Sequence, residues 1–352
     1  MPFSLNSRRF CLLAPFAALY GGISEIRAWY YHHHYLPVIR LPRPTISVGN
    51  LTVGGTGKTP VVSFLADYLN QRHQSVAILT RGYGRNSRQP IILQQSNLAQ
   101  HQPAETGDEP WLLAQHLKNG VVVIDANRVR GGRLALRAVA PQVFLLDDGF
   151  QHRAVFRDLD IVTLDASSPW GTGYLLPFGN LREPVSQLRR ADLLWITRVN
   201  QTTDDINEIH RRLAKKINKP MVFSAHEAQH LIACAGHHQL PLTVLKDKKV
   251  AAFCGIANPN SFKRTLQESG ASLVLFRAFA DHHSFRPKEI VRLWESAQQQ
   301  HAEWIITTAK DAVRLESTWS GLKEVCYYLE IGIKIMAGGE NLKKMLEKLS
   351  II

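Results

Sequence analysis

The chain has 352 residues, with 42 Lys+Arg against 29 Asp+Glu, a formal net charge of +13, 45% apolar residues and 20% charged ones. This composition excludes a wholly disordered chain, and the length points to two domains with a sizeable core. Cys11, Cys234, Cys254 and Cys326 form no CxxC pair, which argues against a disulfide scaffold or zinc ribbon and for a reducing compartment. The basic excess calls for an acidic partner: nucleic acid, an anionic membrane or phosphorylated ligands.

At the N-terminus, Phe10–Ser24 carries no formal charge but is too short to span a bilayer and is interrupted by Pro15 and Gly21-Gly22. Arg8, Arg9, Arg27, Arg40 and Arg43 flank it, and Trp29, Tyr30, Tyr31 and Tyr35 follow. A short apolar segment between basic and aromatic residues suits a helix lying in a membrane interface. A core helix and a secretory signal with Arg8-Arg9 as its basic region are the competing readings. The expected segment spans residues 1–43.

Beyond it, short apolar runs alternate with amphipathic ones. Strands are expected at Thr45–Val48, Ser75–Thr80, Val121–Asp125, Val143–Leu146, Leu159–Leu164 and Leu193–Thr197, and later at Met221–Ser224, Val250–Cys254, Ser272–Phe279, Trp304–Thr308 and Val325–Leu329. Val61, Leu65 and Leu69 share one helix face; Asn258–Ser269 and Pro287–Gln299 read as helices with N-terminal signals. The alternation predicts an α/β protein with parallel strands covered on both faces. The polar stretch Asn200–Pro220 suggests a boundary, giving domains at 44–215 and 216–352.

Ser47–Thr59 reads SVGNLTVGGTGKT. A β-like run, a glycine-rich loop and a following helix are the context a phosphate loop requires. Gly54, Gly55 and Gly57 let backbone N–H groups turn toward phosphate oxygens, and Thr52, Val53 and Thr56 complete the loop. Lys58 reaches the β- and γ-phosphates, and the Thr59 hydroxyl suits Mg²⁺. Thr52 stands where the usual GxxxxGK[ST] pattern has its first glycine. Val143–Asp148 is an apolar strand ending in two carboxylates, the arrangement that orients Mg²⁺ beside a nucleotide, although Asp147-Asp148-Gly149 also reads as a turn.

Three further segments offer chemistry. Thr106–Pro110 (TGDEP) precedes a helical run and reads either as a capping box or as a catalytic carboxylate. Ala280–Phe285 (ADHHSF) follows a strand, where ligand crevices form in α/β folds, or is a solvated loop. Arg81–Arg85 (RGYGR) places two guanidiniums on a flexible turn, for a phosphate or for solvent. His32–His34 suits an interfacial or solvated triplet better than a metal site.

In order, SVGNLTVGGTGKTP, TRGYGR, GDEP, LLDDGFQHR, LPFGNLREP, ADHHSF and TTAKDAVRL resemble the tetraacyldisaccharide 4′-kinases, the lipid A 4′-kinases of Gram-negative bacteria. The variant loop with Thr52 is similar to that family's own form. The resemblance implies a P-loop-type parallel domain plus a smaller α/β domain. It implies an ATP- and Mg²⁺-dependent kinase acting on the 4′-hydroxyl of an acylated glucosamine disaccharide 1-phosphate, peripheral on the cytoplasmic face of the inner membrane, with no nucleic-acid partner. It places a general base on Asp108 assisted by His282, acidic positions near metal and nucleotide on Asp147, Asp148 and Glu183, and nucleotide or substrate contacts on Arg81, Tyr83, Arg128 and Gln151. In TTAKDAVRL, Ala309 stands where the family is expected to carry an acid. Asp108 and His282 fall in different expected domains, so closure would be needed to join them. The alternative is a non-kinase P-loop ATPase switch with a protein or nucleic-acid partner.

Overall fold

The computed structural model describes residues 13–82, 85, 89–235, 238–281, 283–315, 322 and 324–352. Its strands are β1 Thr45–Asn50, β2 Val76–Thr80, β3 Ile91–Leu93, β4 Gly120–Ile124, β5 Val143–Asp147, β6 Leu159–Asp165, β7 Leu193–Thr197, β8 Met221–Ala233, β9 Gln239–Pro241, β10 Lys249–Cys254, β11 Ser272–Ala278, β12 Trp304–Thr308 and β13 Cys326–Ala337. Its α-helices are α1 Ala14–His32, α2 Lys58–Asn70, α3 Pro103–Thr106, α4 Asp108–His116, α5 Arg128–Val139, α6 Ile206–Ala214, α7 Pro259–Glu268, α8 Pro287–Gln298, α9 Ala309–Leu315 and α10 Gly339–Lys348. Each expected strand forms. β3 and β9, three residues each, lacked a long enough run to be read.

The chain divides into two compact units: residues up to Arg81 with Lys118–Ala225 and Ile335–Ile352, and Gly82–Leu117 with His226–Lys334. This differs from the boundary expected at 215/216. The 82–117 segment joins the second unit because α4 packs on α9. The C-terminal helix returns to the first unit, where the Asn341 side chain donates to the Met221 carbonyl at 2.9 Å. Asp108 and residues 280, 281 and 283–285 fall in one unit, a division different from the two domains expected from the sequence.

In the first unit β7, β6, β1, β5, β2 and β4 run side by side and parallel, with the first residues of β8 outside β7. β1, β2 and β5 are buried along their whole length, as expected for parallel strands covered on both faces. β1 pairs with β5 on one side and β6 on the other, so chain order reverses there, and in open α/β sheets ligands bind outside the carboxyl ends at such a point. In the second unit β11, β10, β12 and β13 are parallel, and β9 pairs antiparallel with the later part of β8.

α1 continues through Gly21-Gly22 rather than breaking there. Ala17 and Gly21 form its buried side, and a Cβ on Gly21 would meet Leu175 at 2.8 Å. Tyr20 Oη donates to the Arg182 carbonyl at 2.9 Å. The remaining large apolar residues face outward, which removes the core-helix reading. Among the described residues no helix is long and apolar enough to cross a membrane.

Candidate active site

The phosphate loop leaves β1 and ends at Gly57, whose φ of 81° caps α2 in the left-handed region. Thr52 explains its own departure from glycine. It forms an antiparallel bridge with Leu181, an extended geometry that any residue adopts. Val53 N–H donates to the Asn180 carbonyl at 2.7 Å, and Arg182 N–H to Leu51 at 2.6 Å. The 180–182 strip thus holds the loop's first half in a β-like path.

The second half rests on polar side chains. Asn50 Nδ2 donates to the Thr52 carbonyl at 2.8 Å and to Thr56 Oγ1 at 2.9 Å. Thr56 Oγ1 also pairs with Thr163 Oγ1 at 2.8 Å. From the end of β7, Thr197 Oγ1 donates to the Thr56 carbonyl at 2.9 Å and Arg198 Nη1 to the Gly55 carbonyl at 2.6 Å. With these carbonyls occupied from behind, the loop is pre-shaped as an anion cradle at a helix N-terminus.

Lys58 opens α2, and its Nζ lies 3.5 Å from Asp148 Oδ1. Arg182 Nη1 grips the same carboxylate at 2.8 and 3.0 Å. Burial works to raise the Asp148 pKa, but Lys58 and Arg182 outweigh it and hold the group below its ordinary value. Asp147, at the last position of β5, accepts from Thr80 Oγ1 at 2.9 Å. Thr59 follows Lys58 in the first turn of α2.

Behind the carboxylates, Arg128 is buried and donates to the Asp125 carbonyl at 3.1 Å and the Asp147 carbonyl at 3.4 Å. Burial lowers its pKa to about 10 against the opposing pull of Asp147 and Asp148. Gln151 Nε2 donates to the Asn50 carbonyl at 2.9 Å, which places it under the phosphate loop. Arg81 is exposed just past β2. Tyr83 and His282 lie outside the described residues.

Glu183 is buried, with Arg190 Nη2 at 2.5 Å on one oxygen and Arg153 Nη2 at 3.5 Å on the other, and these two guanidiniums tie it into the 182–190 turn.

In the second unit, Gly107 rather than Thr106 caps α4, and Thr106 Oγ1 turns back to the Gln102 carbonyl at 3.1 Å, so no capping box forms. Asp108 and Glu109 are the first residues of α4. Asp108 Oδ2 accepts from Arg314 Nε at 2.5 Å, and Glu109 pairs with Lys310. His283 stacks on Phe279 with centroids 4.8 Å apart, and its Nε2 lies 3.2 Å from Glu289. His32–His34 are exposed, and no group of metal-ligating side chains forms among the described residues. Arg182, Arg198, Lys310 and Arg314 were not legible as site residues. Arg182 lies inside the LPFGNLREP segment and Lys310 and Arg314 inside TTAKDAVRL, the one available signal.

A model of the family described as tetraacyldisaccharide-1-P 4′-kinase matches residues 9–350. A protein named tetraacyldisaccharide 4′-kinase from Anaeromyxobacter sp. (strain K) is 41% identical over 305 residues, covering 86% of this chain and 80% of that protein. Another from Syntrophus aciditrophicus (strain SB) is 35% identical over 356 residues, covering 97% and 92%. Among solved structures, LpxK from Aquifex aeolicus in complex with ATP is similar with a TM-score of 0.79 and 35% identity, covering 97% of this chain and 99% of that one.

Proposed function

The chain belongs to the tetraacyldisaccharide 4′-kinase family, and from that premise we propose how its residues share the transfer of the ATP γ-phosphoryl group to the 4′-hydroxyl of an acylated glucosamine disaccharide 1-phosphate. Membership makes the protein an ATP-binding kinase of lipid A biosynthesis. The finer assignment starts from the phosphate loop. Thr52–Thr59 wraps the nucleotide phosphates with backbone N–H groups, and Lys58 leaves Asp148 to neutralise charge on the transferring group.

Thr59 and Asp147, with Asp148 beside them, would hold Mg²⁺. This small set of hard oxygen donors is the share a protein supplies when phosphates complete the shell. Asp148 fits a cation, being held ionised despite burial. When bound, Mg²⁺ neutralises charge on the phosphate oxygens and orients them. Arg81 and Tyr83 would contact nucleotide or substrate, and Arg128 and Gln151 support the loop from behind.

A sugar hydroxyl is a weak nucleophile, so a carboxylate that accepts its proton is useful. Asp108 takes that role, assisted by His282. The outward apolar face of α1, with Arg27 and Arg43, lies on the cytoplasmic side of an anionic membrane, where the acyl chains of the substrate reside. Nucleic acid has no part in this reading.

The observation that carries it is the convergence of Lys58, Asp147 and Asp148 at the carboxyl ends of β1 and β5. The test is γ-labelled ATP with the tetraacyl disaccharide 1-phosphate in detergent. A labelled lipid is expected. ATP hydrolysis without lipid label would overturn the acceptor and favour an ATPase switch.

A further inference from the structure

The chemistry above leaves the TTAKDAVRL segment, residues 307–315, without work. In the structure it is the floor beneath Asp108. β12 ends at Thr308 and α9 follows at once. Val313 and Ala309 pack against Trp111 and Leu112 of α4 in a small apolar cluster. Above that contact, two α9 cations one turn apart meet two consecutive α4 carboxylates: Lys310 with Glu109 and Arg314 with Asp108.

Arg314 is the better fixed of the two. Its Nε donates to Asp108 Oδ2 at 2.5 Å, while Nη1 donates to Asp311 Oδ1 at 3.2 Å and to the Gly255 carbonyl at 3.4 Å. Asp311 is wholly buried. It accepts from Thr308 Oγ1 at 2.7 Å and from Gly255 N–H at 3.0 Å, so it locks the loop after β10 to α9. The guanidinium is therefore anchored at its far end by an immobile carboxylate and offers its near end to Asp108.

We propose that Arg314, fixed in place by Asp311, is the positioning residue of Asp108, holding the carboxylate in one orientation toward the acceptor hydroxyl. This rests on the reading of Asp108 as the base. The physical case is geometric: a half-buried, multiply bonded partner removes the rotamer freedom that would otherwise be lost at each turnover. Lys310 is engaged with Glu109 and attracted by Asp281, whereas Arg314 contacts Asp108 directly.

The full-length kinase is assayed for labelled lipid as Arg314→Ala, Arg314→Lys, Asp108→Asn and the Arg314→Ala/Asp108→Asn double variant, with melts in parallel. Arg314→Ala is expected to lose about 10²-fold in kcat, the scale of a misplaced catalytic group, with KM for ATP unchanged. Arg314→Lys recovers part of that loss, and the double variant is no slower than Asp108→Asn. An unchanged kcat in Arg314→Ala, a loss confined to KM, or additive losses in the double variant overturns the proposal. If Arg314→Ala does not fold, Arg314→Met decides: it keeps the bulk without a donor, and a wild-type kcat there is equally fatal. Near-normal turnover of Asp108→Asn would refute the base reading itself, whereas a crippled Asp108→Asn beside a normal Arg314→Ala refutes only the positioning role.

Discussion

Arg198 Nη1 donates to the Gly55 carbonyl at 2.6 Å, tying the end of β7 to the middle of the phosphate loop. The same guanidinium pairs with Asp165 at the end of β6. One side chain thus fixes the loop against two strands, and its own backbone takes a left-handed φ of 58° to do so. Arg198→Ala is expected to raise KM for ATP about tenfold, equivalent to ~1.4 kcal/mol of binding, with a smaller effect on kcat. Removing the cation from Asp165 Oδ2, whose Oδ1 keeps the Ser167 donors, lowers stability by roughly 1 kcal/mol. Steady-state kinetics and denaturant melts check both. An unchanged KM would mean that the loop keeps its shape without this clamp.

Gly49 precedes the loop and lies against Phe150. A Cβ there would stand 2.5 Å from the Phe150 backbone nitrogen and equally close to its Cβ. β1 is a central strand and the Phe150 turn after β5 is buried against it, so neither backbone has room to retreat. Gly49→Ala is expected to cost at least the ~1–3 kcal/mol of ordinary overpacking and to weaken ATP binding, since the loop starts two residues later. A melting temperature equal to the parent's would show that β1 and the turn after β5 separate easily.

The strands and the phosphate loop were legible because their signals are local: continuous apolar runs for buried parallel strands, and glycines before Lys58-Thr59. Asp147 and Asp148 were legible for the same reason. What escaped is long-range. Arg314 lies 206 positions from Asp108 and Arg198 143 from Gly55, and nothing near either arginine announces its partner. Local rules also misled. Thr106-x-x-Glu109 has the spacing of a capping box, but Glu109 is drawn off by Lys310. Gly21-Gly22 has the look of a helix break, but close contact with Leu175 needs a residue without a side chain at position 21. Glu183 reads as a ligand from its motif, and only the fold shows Arg153 and Arg190 on either side of it.

His152 offers a pH test away from the chemistry. Burial first, and then the charges of Arg128, Arg27, Arg157 and Arg81, push its pKa down from 6.5 to about 4. The folded protein keeps the ring neutral while the unfolded chain takes up a proton below its ordinary pKa. This contribution to stability is therefore complete above about pH 6.5 and is lost progressively as pH falls toward about 4. His152→Gln is expected to flatten that part of the stability curve. The His152 ring resonance of the folded protein stays unshifted from pH 7 to near 5. A ring that titrates near 6.5 would show that the surrounding arginines do not act on it.

The two sides of α1 make separate predictions. Phe16, Leu19, Ile23 and Ile26 are 61%, 63%, 59% and 59% exposed, at spacings of three, four and three that keep them on one face, and Trp29 at 50% continues it. Leaving so much apolar surface in water is unfavourable, and burying each such side chain is worth about 1.5–3 kcal/mol. Arg27 and Arg43 add attraction to anionic headgroups, each about 1 kcal/mol near the surface. Arg40 is committed to Asp158 at 2.7 Å and contributes less. Leu19→Asp with Ile23→Asp is therefore expected to lower flotation with anionic vesicles by at least tenfold, while melting changes little because both residues are exposed. Gly21→Leu should behave in the opposite way. It collides with Leu175 on the docked side and lowers stability, yet leaves the outward face intact. If the double aspartate variant floats as well as the parent, α1 is not the membrane contact, whatever its composition suggests.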